Sequence, residues 1–119
     1  MNINEKNRGN YFGTVIDNKW WKRYTKDGFF ARGSGEYWFD DKGLYFRKFL
    51  TKRPIYIPFS LTTGIELVKW HAGKWALGYD IIKLNWKRET LNLSSGICIS
   101  KEKEKTLSLK KALEERINP

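Results

Sequence analysis

Short alternations of apolar and polar residues, punctuated by Gly, Pro, Asn and Asp, fill most of the chain before residue 100. They are densest in GEYWFDDKGLYFRKFLTKRPIYIPFSLTTGIELVKW, from Gly35 to Trp70. GEYWFDD reads as a strand and Asp40-Asp41-Lys42-Gly43 as a hairpin loop, with Gly43 placed for the positive φ such a turn demands. In the return segment Leu44, Phe46 and Leu50 share one parity, and Tyr45, Arg47 and Phe49 the other. Lys48 interrupts the apolar face and predicts a bend or an edge there. Pro54 and Pro58 cannot donate to a ladder, so PIYIP belongs at an edge, a strand start or a bulge.

Before this stretch, Tyr11, Phe12, Val15 and Ile16 fit a short strand or a helical turn equally well. Asp17-Asn18 and Lys26-Asp27-Gly28 are turn signals, and WWKRY between them predicts a hairpin from about Lys19 to Ala31. After it, IELVKW reads as a strand and His71-Ala72-Gly73-Lys74 as a turn. In WALGYDIIKLNW, Ile82, Leu84 and Trp86 alternate with Ile81, Lys83 and Asn85, a half-solvated antiparallel strand. Lys87-Arg88-Glu89 turns the chain into TLNLSS, and Gly96 separates a last short strand, ICIS.

The period changes after Ser100. Leu109, Leu113 and Ile117 fall four apart with Ala112 beside them, among strong helix formers, and predict an amphipathic helix over 103–118. Many short strands followed by one helix predict a mainly β (α+β) architecture: an antiparallel β-barrel or sandwich of about seven strands, closed by the C-terminal α-helix. One domain over residues 1–119 is expected, with 1–10 flexible.

The residues that carry the alternation resemble the pleckstrin-homology-like superfold, and within it the GRAM and bacterial PH-type domains. GEYWFDDKGLYF corresponds to the first hairpin, PIYIPFSLTTGIEL to the third strand running into the fourth, and KTLSLKKALEERI to the closing helix. The resemblance covers residues 33–117 and leaves 11–32 as an N-terminal extension that adds strands or a helix. It implies a non-catalytic scaffold that binds lipids, peptides or partner proteins. Phosphoinositide-binding members carry Lys and Arg in the loop after the first strand. With GEYWFDDKGLYF as first hairpin that loop is Asp40-Asp41-Lys42-Gly43, whose carboxylates repel phosphate.

Charge sharpens the question of partners. The chain has 119 residues, 23 Lys+Arg against 13 Asp+Glu, and a formal charge of +10. Such a surface attracts polyanions: anionic lipid headgroups, acidic protein surfaces or nucleic acid. Aromatics make up 16% of the residues, enough to fill a small β core.

Enzymatic chemistry finds little to work with. One histidine, His71, and one cysteine, Cys98, assemble no His/Cys metal cluster, and no cofactor or catalytic residue is expected. Cys98, flanked by isoleucines in GICIS, reads as a small buried hydrophobe. No apolar run approaches the roughly 20 residues of a membrane span, and no secretory signal opens the chain, which predicts a soluble cytoplasmic protein. The candidate contact residues are aromatics interleaved with cations: Trp20, Trp21, Lys22, Arg23 and Tyr24 in one cluster, with Trp21, Lys22 and Arg23 foremost, and Lys69, Trp70, His71, Lys74 and Trp75 in another. Arg47, Lys48, Lys52 and Arg53 form a purely basic group at a turn, where solvent exposure is the simplest account. Such rings insert at a membrane interface or stack on bases while the cations meet phosphate. Large aromatics usually bury, so core packing is the competing expectation for each cluster. A protein partner or an anionic membrane surface is the first reading, and a nucleic-acid-binding small barrel the alternative.

Overall fold

The computed structural model describes residues 5–29 and 32–118. Among them the chain forms ten strands and one helix: β1 (Asn7–Ile16), β2 (Lys19–Arg23), β3 (Gly33–Phe39), β4 (Gly43–Lys48), β5 (Ile55–Pro58), β6 (Thr62–Val68), β7 (Trp70–His71), β8 (Lys74–Trp75), β9 (Ile81–Arg88), β10 (Leu91–Cys98) and α1 (Lys103–Ile117). Seven strands make one antiparallel path in the order β5-β4-β3-β1-β10-β9-β6, with β2 folded back on β1 and β7-β8 a separate two-stranded ribbon. A 3-10 turn, Phe59–Leu61, links the two ends of the path, and α1 packs against that turn and β6. The predicted sheet closed by a C-terminal helix is the one observed.

Alternation explains the core. Tyr37 and Phe39 of β3, Leu44 and Phe46 of β4, Ile82, Leu84 and Trp86 of β9, and Leu93 and Ile97 of β10 all bury in one cluster with Leu109 and Leu113 of α1. Each fully buried side chain of this kind contributes roughly 1.5–3 kcal/mol. Four polar groups thread this core as a single relay. Tyr11 donates to the Phe29 carbonyl at 2.9 Å, which leaves Thr14 to donate to Tyr11 at 2.6 Å and Ser95 to Thr14 at 2.6 Å. Trp86 Nε1 completes it by donating to Ser95 at 2.9 Å, so no hydroxyl of the relay lacks a partner.

Several expectations change. Residues 7–10, taken as part of a flexible start, form the first half of β1, because Asn7, Arg8, Gly9 and Asn10 pair with Tyr37, Glu36, Gly35 and Ser34 of β3. Tyr11–Ile16 is strand, and with it β1 sits in the middle of the sheet between β3 and β10 rather than at its margin. The hairpin expected over Lys19–Ala31 is instead β1-β2. Asp17 and Asn18 adopt φ of 53° and 57°, a two-residue turn whose twist suits a hairpin. Lys26–Gly28 is a 3-10 turn, and Phe30 and Ala31, the far end of the expected hairpin, lie outside the described residues. TLNLSS and ICIS are one continuous strand, β10, where Gly96 leaves room for the His71 ring lying directly over it. GEYWFDDKGLYF is therefore not the first hairpin of the sheet, since β1 and β2 precede it.

The acidic turn between β3 and β4 has structural work, and its Gly43 does not take the expected positive φ: it begins β4, with the Tyr56 ring and the Ile57 carbonyl where a Cβ would stand. The Asp40 carboxylate accepts from the Lys42 and Gly43 amides at 2.8 and 3.0 Å, closing its own loop. Asp41 pairs with Arg116 of α1 at 3.3 Å, and the same guanidinium lies over Phe39, 5.3 Å from its centroid. The turn thus ties the helix end to the wall.

Candidate functional site: a four-tryptophan face

The two segments singled out by their Trp and Lys content meet on the outside of the sheet. The Asp17-Asn18 turn sends β2 back along β1, and as an outlying strand it leaves Trp20 and Trp21 53% and 62% exposed. Their rings meet edge to face at 5.9 Å. A second tight turn builds the other half. Ala72 and Gly73 both take positive φ, 53° and 84°, which brings β7 and β8 together with Trp70 opposite Trp75. Those rings lie 6.5 Å apart and are 38% and 64% exposed. The halves touch: a Cβ placed on Gly73 would stand 3.2 Å from Cε3 of Trp20, so the Trp20 ring rests on the tip of the β7-β8 ribbon. Leu77, 84% exposed just after β8, extends the apolar surface.

The underside of the ribbon holds it on the sheet. Phe12, Ala76, Ile81 and Cys98 form a second buried cluster, with Val68 and Tyr79 against it. His71 points down between them. Its Nε2 donates to the Gly13 carbonyl at 3.0 Å, since a carbonyl can only accept, and its ring covers Gly96. Burial first, and then the nearby Lys83, Arg32 and Arg23 charges, hold its pKa down at about 4 against the Gly13 bond. Arg32 donates to the Ala72 carbonyl and fixes the ribbon tip from the β3 side. Arg23 lies over Gly13, where its guanidinium occupies the space a Cβ would take. Burial pushes the Cys98 thiol up to about 11, in keeping with an inert core sulfur.

Cations surround the rings. Lys19, Lys22 and Lys74 are exposed and, among the described residues, none of them forms an ion pair. Lys74 sits over the Phe12 ring at 5.4 Å, and Lys69 pairs with Asp80. Of the eight candidate residues, Trp21, Lys22, Lys69, Trp70, Lys74 and Trp75 are exposed on or beside this face. Arg23 is half-buried, and His71 is 3% exposed and belongs to the support, not to the surface. Trp20, named with Trp21 in the first cluster, is exposed as well, whereas Tyr24 of that cluster is buried in the core. Arg32 and Leu77 were not singled out, and Arg32 could not have been, because its carbonyl partner lies 40 residues away.

Residues 2–113 match the bacterial PH domain-like family. The chain belongs to that family. No curated protein matches it. The matched span takes in β1 and β2, which the sequence resemblance had left as an extension. PH-like domains are in general non-catalytic binding modules, so a binding role is supported without a ligand being named. The segment that follows the first strand of the sheet is not the acidic Asp40-Gly43 turn but the two-residue Asp17-Asn18 turn, leading into β2 with Lys19, Lys22 and Arg23. Among the described residues no helix is long and apolar enough to cross a membrane.

Proposed function

We propose that the protein is a non-catalytic binding module that docks on an anionic membrane surface through Trp20, Trp21, Trp70 and Trp75. The observation that carries this reading is the gathering of four exposed indoles from two separate hairpins beside unpaired lysines. Indole rings favour the headgroup region of a bilayer, and each nearby Lys or Arg adds about 1 kcal/mol of attraction to an anionic leaflet. The ribbon is held rigidly from beneath, so docking requires little ordering of the surface. A cytoplasmic location fits this reading, with Cys98 remaining a thiol.

Flotation with vesicles of phosphatidylcholine alone and of phosphatidylcholine with phosphatidylglycerol tests it. Binding to the anionic vesicles with a blue shift of the Trp emission is expected, and Trp21→Ala with Trp75→Ala should lower that binding at least about tenfold. No binding at low salt overturns the membrane reading. A steeply salt-dependent shift with single-stranded RNA or DNA, without vesicle binding, would put the nucleic-acid alternative in its place.

A further inference from the structure

A separate cavity of about 420 Å³ opens at the end of the barrel where the β4-β5 connection faces the Lys26–Gly28 turn. Its walls are the Tyr11 and Phe46 rings, Ile55 and Pro54, and Lys48 and Arg53 stand on its lining. That is the size and mixture of a small-molecule site: mostly apolar, with a few charged groups that set orientation. The Tyr11 hydroxyl is already committed to Phe29 and Thr14, so this side chain offers the cavity its ring. Asp27, the one carboxylate on the lining, is held by Arg88 at 2.6 Å. Lys48 and Arg53 form no ion pair among the described residues and are left with their charge uncompensated.

The connection itself adds a second observation. Leu50, next in the chain to the lining stretch at Lys48 and Thr51, is fully exposed and has φ of 71°. A left-handed backbone costs a non-glycine residue about 1–2 kcal/mol, and a side chain that packs on nothing returns none of it to the fold. Apolar surface is thus held out in solvent in the same short loop that supplies the cations.

We propose that this cavity binds a small amphipathic anion, its apolar body against Tyr11, Phe46, Ile55 and Pro54 and its single anionic head held by Lys48 and Arg53. The site is distinct from the four-tryptophan face and does not depend on it. A neutral molecule of the same shape leaves both cations without a partner, and an inorganic anion leaves the apolar walls uncovered. Only the combination satisfies both halves of the lining.

Titration of the intact chain, without vesicles, with octanoate, octyl phosphate, octanol and inorganic phosphate, followed by NMR shifts, tests this. Octanoate or octyl phosphate should bind with shifts at Phe46 and Ile55, and whichever binds more tightly identifies the head group. Lys48→Glu with Arg53→Glu, both outside the core, should weaken that binding more than about tenfold while leaving octanol unchanged. Thr51→Trp at the rim should block both. Trp21→Ala with Trp75→Ala should leave octanoate binding intact, which separates failure here from failure of the membrane reading. Equal affinity for octanol and octanoate, or binding of inorganic phosphate as tight as that of octyl phosphate, overturns the proposal. So does octanoate affinity that survives the double charge reversal.

Discussion

Two regions of this molecule use aromatic residues in opposite ways. On the outer side of β3, β4 and β5, Trp38, Tyr45 and Tyr56 stack in a row, with centroids 5.4 and 4.9 Å apart and planes 7° and 28° apart. Lys6 covers the open Trp38 face at 5.0 Å, Tyr45 donates to Asp40 at 2.9 Å and Tyr56 to the Lys42 carbonyl at 3.3 Å. Every ring in this ladder finds a partner inside the molecule, although Tyr56 on the edge strand β5 is 37% exposed, about as open as Trp70. On the four-tryptophan face the rings meet at 57° and 82° and leave much of their surface to solvent. Aromatic density is therefore no guide to a contact surface. What separates the regions is whether successive strands of the sheet stack ring on ring, as Trp38 opposite Tyr45 and Tyr45 opposite Tyr56 do, or the rings stand on an outlying strand, β2, and a separate two-strand ribbon, β7-β8, with no further strand beside them.

The largest effect expected from breaking this contrast lies under the tryptophan face. His71 is neutral in the fold, with a pKa near 4, and ordinary in the unfolded chain. Below pH 6.5 the unfolded chain takes up a proton that the folded one refuses, so stability falls from pH 6.5 to about 4 and is level beneath that on this account. The loss amounts to about 3 kcal/mol. Urea unfolding at pH 7, 5.5 and 4 measures it, and His71→Gln should flatten the profile over that interval. An unchanged slope in the variant would show that the ribbon is not anchored by a neutral imidazole.

Tyr45→Ala strikes the ladder and ranks next. It removes two ring pairs worth roughly 0.5–1.5 kcal/mol each and a hydrogen bond to a carboxylate, for a net cost of about 2 kcal/mol by chemical denaturation.

This contrast marks what was legible in the chain. Period two along β3 and β4 and period four along α1 betrayed the core, because burial acts on each residue through its own strand or helix. In contrast β9, expected to be half-solvated, buries Ile81 and Lys83 on its other face as well, with Ile81 in the second cluster beneath the β7-β8 ribbon. The central place of β1 was not legible. Asn7-Arg8-Gly9-Asn10 is polar, and only its pairing with β3 and β10, far along the chain, makes it strand. The candidate clusters were visible as Trp next to Lys, yet their exposure and their meeting at Gly73 depend on two positive-φ turns. His71 shows the same limit in reverse, since a histidine in a turn sequence gives no sign that it faces inward onto Gly13 and Gly96. The cavity at Lys48 and Arg53 read only as a basic turn.

Leu50→Gly carries a smaller effect of opposite sign. Relief of the left-handed strain exceeds the added chain entropy of glycine by about 0.5 kcal/mol, and the midpoint of unfolding should rise. A fall would mean that the exposed leucine supports the loop.

The smallest expected change carries most for the comparison. Trp21 is 62% exposed, and beyond its edge contact with Trp20 it packs on little, so Trp21→Ala should shift stability by no more than about 0.5 kcal/mol. In a protein where losing one ladder ring costs several times that, a large exposed indole of near-zero structural worth is a side chain whose apolar area is available only to something outside the fold. Thermal and urea unfolding of Trp21→Ala beside Tyr45→Ala decides it. If the two variants are equally destabilised, the tryptophan face is a second structural ladder and loses its standing as a contact surface. If only Tyr45→Ala is, the indole is held at the surface for a partner.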